Sequence, residues 1–487
     1  MEIKRSYVTY EDFGAVGDGV RDDMPAIVAA HEYANENKIP VRAKDGAEYY
    51  IGGRDLTAVI KTDTNFGSAK FIIDDVKLDN IKASIFKVVS DYKDEPIELS
   101  SVCAGQKQLE LSRSGTYYVR VTAPDTRRVY IRKGLNMNNG AVPSEAFIVA
   151  DGGEILTQIN WDYPEIASAY ARCVDDEPIT IEGGIFTTVA NQWICKYDAH
   201  TRNFSIQRSH VTVKNITHYV TGELDHGAPY GGFLSVGASY NVTLRDCLLT
   251  PHFTYMTESK IPGQMVSMGT YDLGFNYSIG TKLINIKQTI DIQDTRYWGL
   301  MGSNFCKDMT LEDCTISRFD AHCGVTNVTV RNCKLGYMGF NLIGFGKCLI
   351  ENTDINAAAF INLRSDYGSF FDGDVEIKNC TWRPFRAAAH KLISAYNTGD
   401  HDFGYPCMMP HTITIDGLYI DDSAIKTECE SYHVFSSYDA DFKEGKPYAY
   451  VTSRLVKAKG LRSASGKPVV LTDTPEQYRN SELIVEE

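Results

Sequence analysis

A short motif that recurs about every 20 residues constrains the fold of this chain more than any other feature of its sequence. Each copy alternates apolar and polar side chains over four residues and then has Asn or Asp, followed in most copies by Cys or Thr. The Asn or Asp position falls at Asn215, Asp246, Asp313, Asn332, Asn352 and Asn379, and Gly417 occupies it in a degenerate last copy. The copies from 313 to 352 follow one another at intervals of 19 and 20 residues, and the other intervals leave room for loops.

The alternation within each copy is typical of a short β-strand with one buried face. A strand this short cannot bury that face alone, but stacking the equivalent strands of successive coils builds a continuous core and pairs their backbones in parallel. The repeat therefore predicts an all-β fold, a right-handed parallel β-helix solenoid.

Four cysteines occupy the same place in successive copies, at Cys247, Cys314, Cys333 and Cys380. Equivalent positions stack in a solenoid, so we expect an interior ladder of small apolar side chains. Disulfides or a metal site are the alternatives. No CxxC pair occurs in the sequence, which disfavours a zinc site. The prediction is therefore packed free thiols, with neither a metal nor a cofactor.

The 487 residues divide into four predicted segments. These are an N-terminal cap with the first coils (1–97), a small antiparallel β insertion (98–170), the main parallel β-helix with the active groove (171–422), and a C-terminal cap and tail (423–487). The first segment has a short capping helix that begins after Asp22 or Asp23 and ends near Asn37. The insertion is predicted from alternating segments that Gly, Asn and Pro turns separate.

Composition excludes several classes of function. A net charge of −14 argues against nucleic acid as a partner. No run of 18 or more apolar residues is present, so we expect no membrane partner. The first residues, MEIKRSYVTYEDFG, lack the apolar stretch of a secretory signal, so the expectation is a cytoplasmic protein or a secreted one whose signal has been removed.

Residues 10–30 read YEDFGAVGDGVRDDMPAIVAA, a glycine-rich turn followed by an acidic pair and a small amphipathic helix. This stretch resembles the N-terminal cap of the pectate-lyase-like right-handed parallel β-helix superfamily. That superfamily includes polygalacturonase-type glycoside hydrolases, polysaccharide lyases, alginate epimerases and phage tailspike depolymerases. The resemblance implies the fold and a polysaccharide or oligosaccharide substrate, and it leaves the reaction open.

Acidic, basic and aromatic residues crowd together in the intervals between the repeats. Hydrolysis of a glycoside needs two carboxyl groups that flank the scissile bond. We predict Asp294 and Asp320 as this catalytic pair, because each precedes a repeat strand, and His322 as a group that holds a proton or binds a hydroxyl. The alternative is ordinary pairing on a solvated surface, of Asp294 with Arg296 and of Asp320 with His322. If Asp320 is catalytic and not a surface ion-pair partner, Asp320→Asn should abolish turnover and leave thermal stability intact.

The predicted substrate-binding residues surround these three. Arginines grip carboxylates or hydroxyls in a planar fork, and aromatic rings stack on sugar faces. The set is Arg296, Tyr297, Trp298, Arg318, Arg364, Asp366, Asp225, His226 and Tyr271. Surface ion pairing and core filling are the competing interpretations of the same residues.

The segment Phe319–His322 resembles the second half of the Tyr-Gly-Phe-Asp-Pro-His block of alginate C5-epimerases, although Ser317 stands where that block has its tyrosine. The resemblance implies that Asp320 and His322 serve proton transfer at C5 of a uronate. Lyases begin with the same proton abstraction. The GHG and RIK blocks of polygalacturonases are absent from the sequence.

Three functions therefore stay open. The leading expectation is a glycoside hydrolase that uses paired Asp residues on a polysaccharide or oligosaccharide. The second is a polysaccharide lyase or uronate C5-epimerase that uses Asp, His and Arg for proton abstraction. The third is a non-catalytic, tailspike-like glycan-binding protein, which would form a homo-oligomer.

Overall fold

The computed structural model describes residues 6–193, 199–386, 390–396, 402–425, 428–439 and 450–486. The chain divides into two compact units. Unit 1 comprises Met1–Asp94, Arg172–Thr257 and Ser267–Met301, and unit 2 comprises Glu95–Ala171, Glu258–Val266 and Gly302–Glu487. Unit 2 contains all of the predicted insertion, residues 98–170.

Unit 1 is built from short strands that pair in parallel, and the paired strands come from successive coils. Its strands are Val8–Thr9, Asp18–Asp22, Val41–Arg42, Glu48–Ile51, Ala58–Ile60, Thr64–Asp74, Phe86–Val89, Ile179–Val189, Phe204–Gln207, Val211–Lys214, Thr217–Thr221, Leu234–Gly237, Thr243–Arg245, Leu248–Leu249, Leu273–Asn276, Lys282–Ile284 and Lys287–Gln288. Two further strands, Tyr255–Glu258 and Met265–Met268, each include residues of both units. A short 3-10 helix, Glu11–Phe13, precedes the α-helix of this unit.

The α-helix spans Met24–Asn37. Asp23, directly before it, is buried, and its carboxylate accepts the backbone N–H groups of Val16 and Gly17 at 2.7 and 3.0 Å. This acidic residue therefore closes the glycine-rich turn, which is the structural role expected for an Asp at such a position. Among the described residues, no helix combines the length and the apolar character needed to cross a membrane.

Unit 2 contains both parallel coils and an antiparallel sheet. Its parallel strands are Met301–Glu312, Thr315–Arg331, Lys334–Leu342, Gly344–Glu351, Asp354–Ala357, Ile361–Leu363, Phe371–Pro384, Lys391–Ser394, Thr412–Ile420, Tyr432–Phe435, Leu455–Ser463, Val469–Val470 and Glu482–Glu486, with a small pair formed by Cys407–Met408 and Tyr450–Val451. Two further 3-10 helices span Ser365–Tyr367 and Pro475–Gln477.

The first residues of successive motif copies stand in register in unit 2. Val328 pairs with Met309 on one side and with Cys348 on the other, and the ladder continues through Val375 to Ile413. All of these pairings are parallel. The parallel stacking that the repeat predicts is confirmed.

The Asn or Asp of each copy has a left-handed backbone conformation. The φ angles at Asn215, Asp246, Asp313, Asn332, Asn352 and Asn379 lie between 48° and 58°. Asn and Asp tolerate this conformation better than most residues, and glycine adopts it freely, which explains Gly417 in the last copy. In unit 2, the side-chain amide of Asn352 also donates to that of Asn332 at 3.2 Å.

The motif cysteines lie in the interior, as predicted. Cys314, Cys333 and Cys380 in unit 2 and Cys247 in unit 1 are free thiols that are at most 3% exposed. The backbone N–H of Cys314 donates to Cys333 Sγ at 3.4 Å. These thiols act as small buried apolar groups, as the repeat predicts.

The antiparallel sheet consists of Glu95–Pro96, Tyr117–Thr122, Ser144–Val149 and Ser168–Cys173. Its apolar side chains form a separate core that includes Val119 and Phe147. A buried ion pair of 2.7 Å joins Glu145 of this sheet to Lys307 of the parallel coils. This contact places the antiparallel sheet beside the coils that carry the candidate residues.

Candidate functional site

Five charged residues of unit 2 form a network that we call the arginine–carboxylate cluster: Arg132, Arg318, Asp320, Arg364 and Asp366. Asp320 lies at its centre on the strand Thr315–Arg331 and is 0% exposed. Its carboxylate accepts Arg318 Nη2 at 2.7 Å and Arg364 Nη1 at 2.8 and 3.0 Å. Both carboxylate oxygens therefore engage guanidinium groups, which is the strong, charge-assisted form of a hydrogen bond.

Asp366 forms the outer part of the cluster, in the short helix that follows Arg364. Its carboxylate accepts Arg364 Nη2 at 2.7 Å and Arg132 Nε at 2.6 Å. Burial raises the pKa of Asp366, but the guanidiniums of Arg364 and Arg132 outweigh burial and lower that pKa overall. Three guanidiniums and two carboxylates leave the cluster with a formal charge of +1.

His322 lies two residues beyond Asp320, at a register shift between this strand and the strand Met301–Glu312. Its Nδ1 is 3.0 Å from Asn304 Oδ1, and its Nε2 is 3.3 Å from the hydroxyl of Tyr367. Burial, assisted by the charge of Arg364, lowers the pKa of His322 to about 3, so the ring is neutral at ordinary pH. Because an amide oxygen only accepts, Nδ1 carries the hydrogen and Nε2 accepts the Tyr367 hydroxyl.

Tyr367 connects His322 to the arginines. The guanidiniums of Arg364 and Arg132 lie 5.1 and 5.6 Å from the centre of its ring. Burial raises the pKa of the Tyr367 hydroxyl, so this group keeps its proton unless a neighbouring base accepts it. Nε2 of His322 accepts the hydrogen bond of this hydroxyl, although the lowered pKa of His322 makes its imidazole a weak base.

Cys323 is the next residue along the strand, and its Sγ lies 3.4 Å from His322 Nδ1 and 3.7 Å from the Tyr367 hydroxyl. Burial raises the pKa of this thiol to about 11. The thiolate is the reactive form of cysteine. Cys323 therefore suits packing beside the site better than nucleophilic attack.

A second group of predicted residues lies in unit 1. Arg296 Nη2 lies 2.6 Å from the carboxylate of Asp294, and this guanidinium lowers the pKa of Asp294. The ring of Tyr297 stacks on Phe253 with centroids 4.4 Å apart. The arginine is largely exposed, so this group forms a charged and aromatic surface. An ionised Asp294 suits the role of a base or nucleophile and does not suit the role of proton donor.

The other predicted residues of unit 1 lie in separate contacts. Tyr271 and Trp298 have ring centroids 6.3 Å apart. Asp225 is exposed, and His226 Nδ1 contacts the carbonyl of Gly227 at 3.2 Å.

A buried pair near Asp225 in the sequence was not among the predicted sites. His252 Nδ1 lies 2.9 Å from the Glu223 carboxylate. Burial lowers the pKa of His252, but the Glu223 carboxylate outweighs burial and raises it overall. The ring also stacks on Tyr230 at 5.0 Å. The Glu223–His252 pair therefore stabilises a charged imidazole inside unit 1.

The structure thus brings together Arg318, Asp320, His322, Arg364 and Asp366 in unit 2, whereas Asp294, Arg296 and Tyr297 form a contact group in unit 1. Sequence reasoning omitted Arg132, Asn304 and Tyr367 from the site. Arg132 comes from the antiparallel insertion and is 234 residues from its partner Asp366, so no sequence spacing could connect them. Tyr367 directly follows Asp366, a predicted substrate-binding residue, and this adjacency in the sequence could have identified Tyr367 as part of the site.

A groove of about 930 Å³ lies in unit 2, between the antiparallel insertion and the parallel coils. Its polar lining includes Lys107, Asp308, Asn327, Lys347, Asp374 and Glu376. Burial raises the pKa of Asp308, whose carboxylate accepts the Asn327 amide at 2.9 Å. This volume falls within the range of ligand-binding clefts.

Comparison with known proteins supports the fold. No protein-family model matches the chain. The tailspike gp61 of Pseudomonas phage phi297 superimposes with a TM-score of 0.57 at 12% identity, and the alignment covers 94% of this chain and 75% of that one. The chain has the parallel β-helix fold. Two other similar structures are the Acinetobacter baumannii phage AP22 tailspike gp54 in complex with capsular saccharide (TM-score 0.49, 8% identity, 98% and 79% coverage) and the A-module of the Azotobacter vinelandii mannuronan C-5 epimerase AlgE6 (0.40, 12%, 99% and 99%).

One curated relative is a capsule KL64-specific depolymerase of Klebsiella phage P510. It is 31% identical over 147 residues, which corresponds to 25% of this chain and 14% of the relative. The match therefore spans about one seventh of the relative's length.

Proposed function

We propose that this chain processes an acidic polysaccharide by abstracting the C5 proton of a uronate residue at the His322–Tyr367 pair. One observation carries the proposal: a neutral imidazole nitrogen lies 3.3 Å from a tyrosine hydroxyl, beside a cluster whose formal charge is +1. This combination supplies a base, a proton carrier and an electrostatic partner for a carboxylate.

The chemistry requires positive charge because the C5 proton of a uronate lies next to its carboxylate. Removing that proton moves negative charge onto the carboxylate oxygens, and fixed positive groups stabilise charge that develops in a transition state. Arg132 has the more exposed guanidinium of the two that flank Tyr367. We assign Arg132 the contact with the substrate carboxylate. Arg364, which Asp320 and Asp366 hold in place, adds to the positive electrostatic potential at that point.

His322 and Tyr367 act as one unit in this proposal. Tyr367 is 1% exposed, so this step needs the surrounding side chains to move and admit the sugar; the phenol oxygen then takes the C5 proton as its own proton passes to His322 Nε2. In a lyase, the bond from C4 to the glycosidic oxygen then breaks, the oxygen leaves with a proton, and a C4–C5 double bond remains. In an epimerase, a proton returns to the opposite face of C5 and the chain stays intact.

The predicted hydrolase is the second candidate, and the raised pKa of Asp308 in the groove favours it, since a glycosidase needs a protonated carboxyl group. The other carboxylates of the groove lining, Asp374 and Glu376, share the strand Phe371–Pro384, and Asp374 lies three strand steps from Asp308, through Asn327 and Lys347. Strand steps of about 4.8 Å put their backbones about 14 Å apart, which exceeds the ~6.5–9.5 Å carboxyl separation of inverting enzymes. Asp308 and Asp374 therefore match glycan binding better than hydrolysis. The assignment of Asp294 and Asp320 as the catalytic pair of a glycoside hydrolase stays a prediction.

The test is a screen of acidic and neutral polysaccharides in which each reaction is followed through new reducing ends and through the ultraviolet band of an unsaturated uronide. We expect both signals together for a lyase. Tyr367→Phe removes the proton carrier and should lower kcat by about 10²- to 10⁴-fold with little change in KM. The matched control is Tyr478→Phe, which removes a hydroxyl from another buried ring of unit 2, one that donates to the carbonyl of Ser436 at 2.7 Å.

Three results would count against proton abstraction. Reducing ends without the ultraviolet band would indicate a hydrolase. Full activity in Tyr367→Phe would remove Tyr367 from the chemistry. Binding of an acidic glycan with neither cleavage nor C5 inversion would indicate a non-catalytic glycan-binding protein.

A further inference from the structure

Two histidines and an aspartate near the C-terminus of unit 2 lie close enough to share a metal ion. Each of His390, His433 and Asp473 offers one ligand atom, and these atoms all lie within 4.8 Å of one another. We propose that these three residues, the C-terminal His–Asp site, bind a divalent transition metal of the zinc type. The residues belong neither to the arginine–carboxylate cluster nor to the groove lining.

Three successive coils supply one ligand each. His390 directly precedes the strand Lys391–Ser394, His433 lies in the strand Tyr432–Phe435, and Asp473 follows the strand Val469–Val470. Lys391 pairs with His433, and His433 pairs with Val470. The backbone N–H of His433 also donates to the carbonyl of His390 at 2.8 Å. Parallel stacking therefore holds the backbones of the ligands in place before any ion binds.

The side chain of His433 gives a second, independent indication of a ligand. Its Nε2 is 3.1 Å from the Ser431 hydroxyl, whereas its buried Nδ1 has no hydrogen-bond partner within the part of the chain that the structure describes. Nδ1 lies 3.7 Å from the nearer carboxylate oxygen of Asp473. A metal ion between these atoms would satisfy the nitrogen, while Ser431 would orient the ring from its far side, as outer partners of metal-ligating histidines do.

The donor set selects the type of ion. Two imidazoles and one carboxylate, with a position left for water, are typical of zinc and its neighbours, whereas calcium and magnesium prefer oxygen donors. Bonds of about 2.0–2.1 Å in a tetrahedral site put ligand atoms roughly 3.4 Å apart. The 3.7 Å between His433 and Asp473, and separations of up to 4.8 Å within the site, therefore need a closing movement, which the exposed Asp473 can make in part.

Lys391 is the competing cation, because its ammonium interacts with Asp473. An ion at the site would displace this ammonium from the carboxylate. Bound metal would link three coils and stabilise the end of unit 2, a consequence independent of any activity on polysaccharides.

The test uses the full chain after treatment with a chelator. Calorimetric titration should show one Zn²⁺ per chain with micromolar or tighter affinity, and Co²⁺ should give the visible absorption of a four- or five-coordinate site with nitrogen ligands. Asp473→Asn and His433→Gln should each weaken Zn²⁺ binding by at least about tenfold. The matched control is His411→Gln, which breaks another His–Asp pair of unit 2, 3.1 Å from Asp372, and should leave the affinity unchanged.

Asp473 is 44% exposed, so Asp473→Asn tests the ligand set without disturbing the core even if His433→Gln fails to fold. Wild-type protein that binds no Zn²⁺ above a weak, non-stoichiometric background would overturn the proposal. So would Zn²⁺ binding that survives Asp473→Asn undiminished, or that His411→Gln weakens as much as Asp473→Asn does.

Discussion

Replacing Asp320 with Asn tests how the arginine–carboxylate cluster stabilises unit 2. The substitution keeps the shape of the side chain and removes its charge, so three guanidiniums face the single carboxylate of Asp366 and the formal charge rises from +1 to +2. Asp320 is fully buried, so water cannot compensate the unpaired charge. Removing one partner of a buried ion pair costs about 3–5 kcal/mol. The Asn oxygen still accepts one hydrogen bond, so we expect about 3 kcal/mol, the lower end of that range.

The corresponding change in melting temperature follows from the size of the chain. Unfolding entropies are about 2.1 cal/mol/K per residue, which gives about 1 kcal/mol/K for 487 residues. A loss of about 3 kcal/mol therefore lowers Tm by about 3 °C if the chain unfolds as one cooperative unit, and by more if unit 2 unfolds alone. The burial of Asp320 therefore predicts a different outcome from the expectation from the sequence, which was that Asp320→Asn would leave thermal stability intact.

Differential scanning calorimetry of the wild type and two variants makes the comparison. Asp294→Asn is the matched control, because it makes the same chemical change in an ion pair whose arginine is 70% exposed. We expect a clear loss of Tm for Asp320→Asn and no resolvable change for Asp294→Asn. Equal Tm values for all three proteins would refute the claim that the cluster is a buried, charge-coupled network.

Three further outcomes are expected. Burial lowers the pKa of His322 from 6.5 to about 3, so between these pH values the unfolded chain binds a proton that the native state does not. The stability that the neutral ring contributes is therefore present above about pH 6.5 and is lost as the pH falls toward 3. His322→Gln should flatten this loss of stability at acidic pH in a series of thermal melts. Cys333→Ser places a hydroxyl in the cysteine ladder and should cost about 1–2 kcal/mol in denaturant unfolding, whereas Cys103→Ser, at an exposed thiol, should cost nothing measurable. Glu145→Gln leaves the buried ammonium of Lys307 without its carboxylate and should lower Tm by at least as much as Asp320→Asn.

The repeat predicted the part of the fold that depends on local pattern. Alternation fixed which residues of each copy face inward, and the left-handed backbone at Asn332 and its equivalents explains why the motif needs Asn, Asp or Gly there. The same stacking predicted the buried thiols of Cys314 and Cys333. These properties repeat along one axis, so each copy carries the same information.

The site depends on contacts that no local pattern encodes. Asp320, His322 and Arg364 could be selected from the sequence because repeat strands flank them, but Arg132 reaches the cluster from the antiparallel insertion. Whether an acidic residue is a proton donor or an ion-pair partner also depends on burial and on neighbours from other coils. Asp308 illustrates this point, since only the groove around it reveals the raised pKa of an otherwise ordinary strand residue.

The most direct test of proton abstraction compares one uronate-containing polysaccharide with the same polymer after its carboxyl groups have been reduced to primary alcohols. The backbone, linkages and chain length stay the same, but the group that makes the C5 proton acidic is lost. If His322 and Tyr367 perform proton abstraction in a lyase, the intact polymer yields reducing ends together with the ultraviolet band of an unsaturated uronide, and the reduced polymer yields neither. Equal release of reducing ends from both polymers, without that band, would contradict the account.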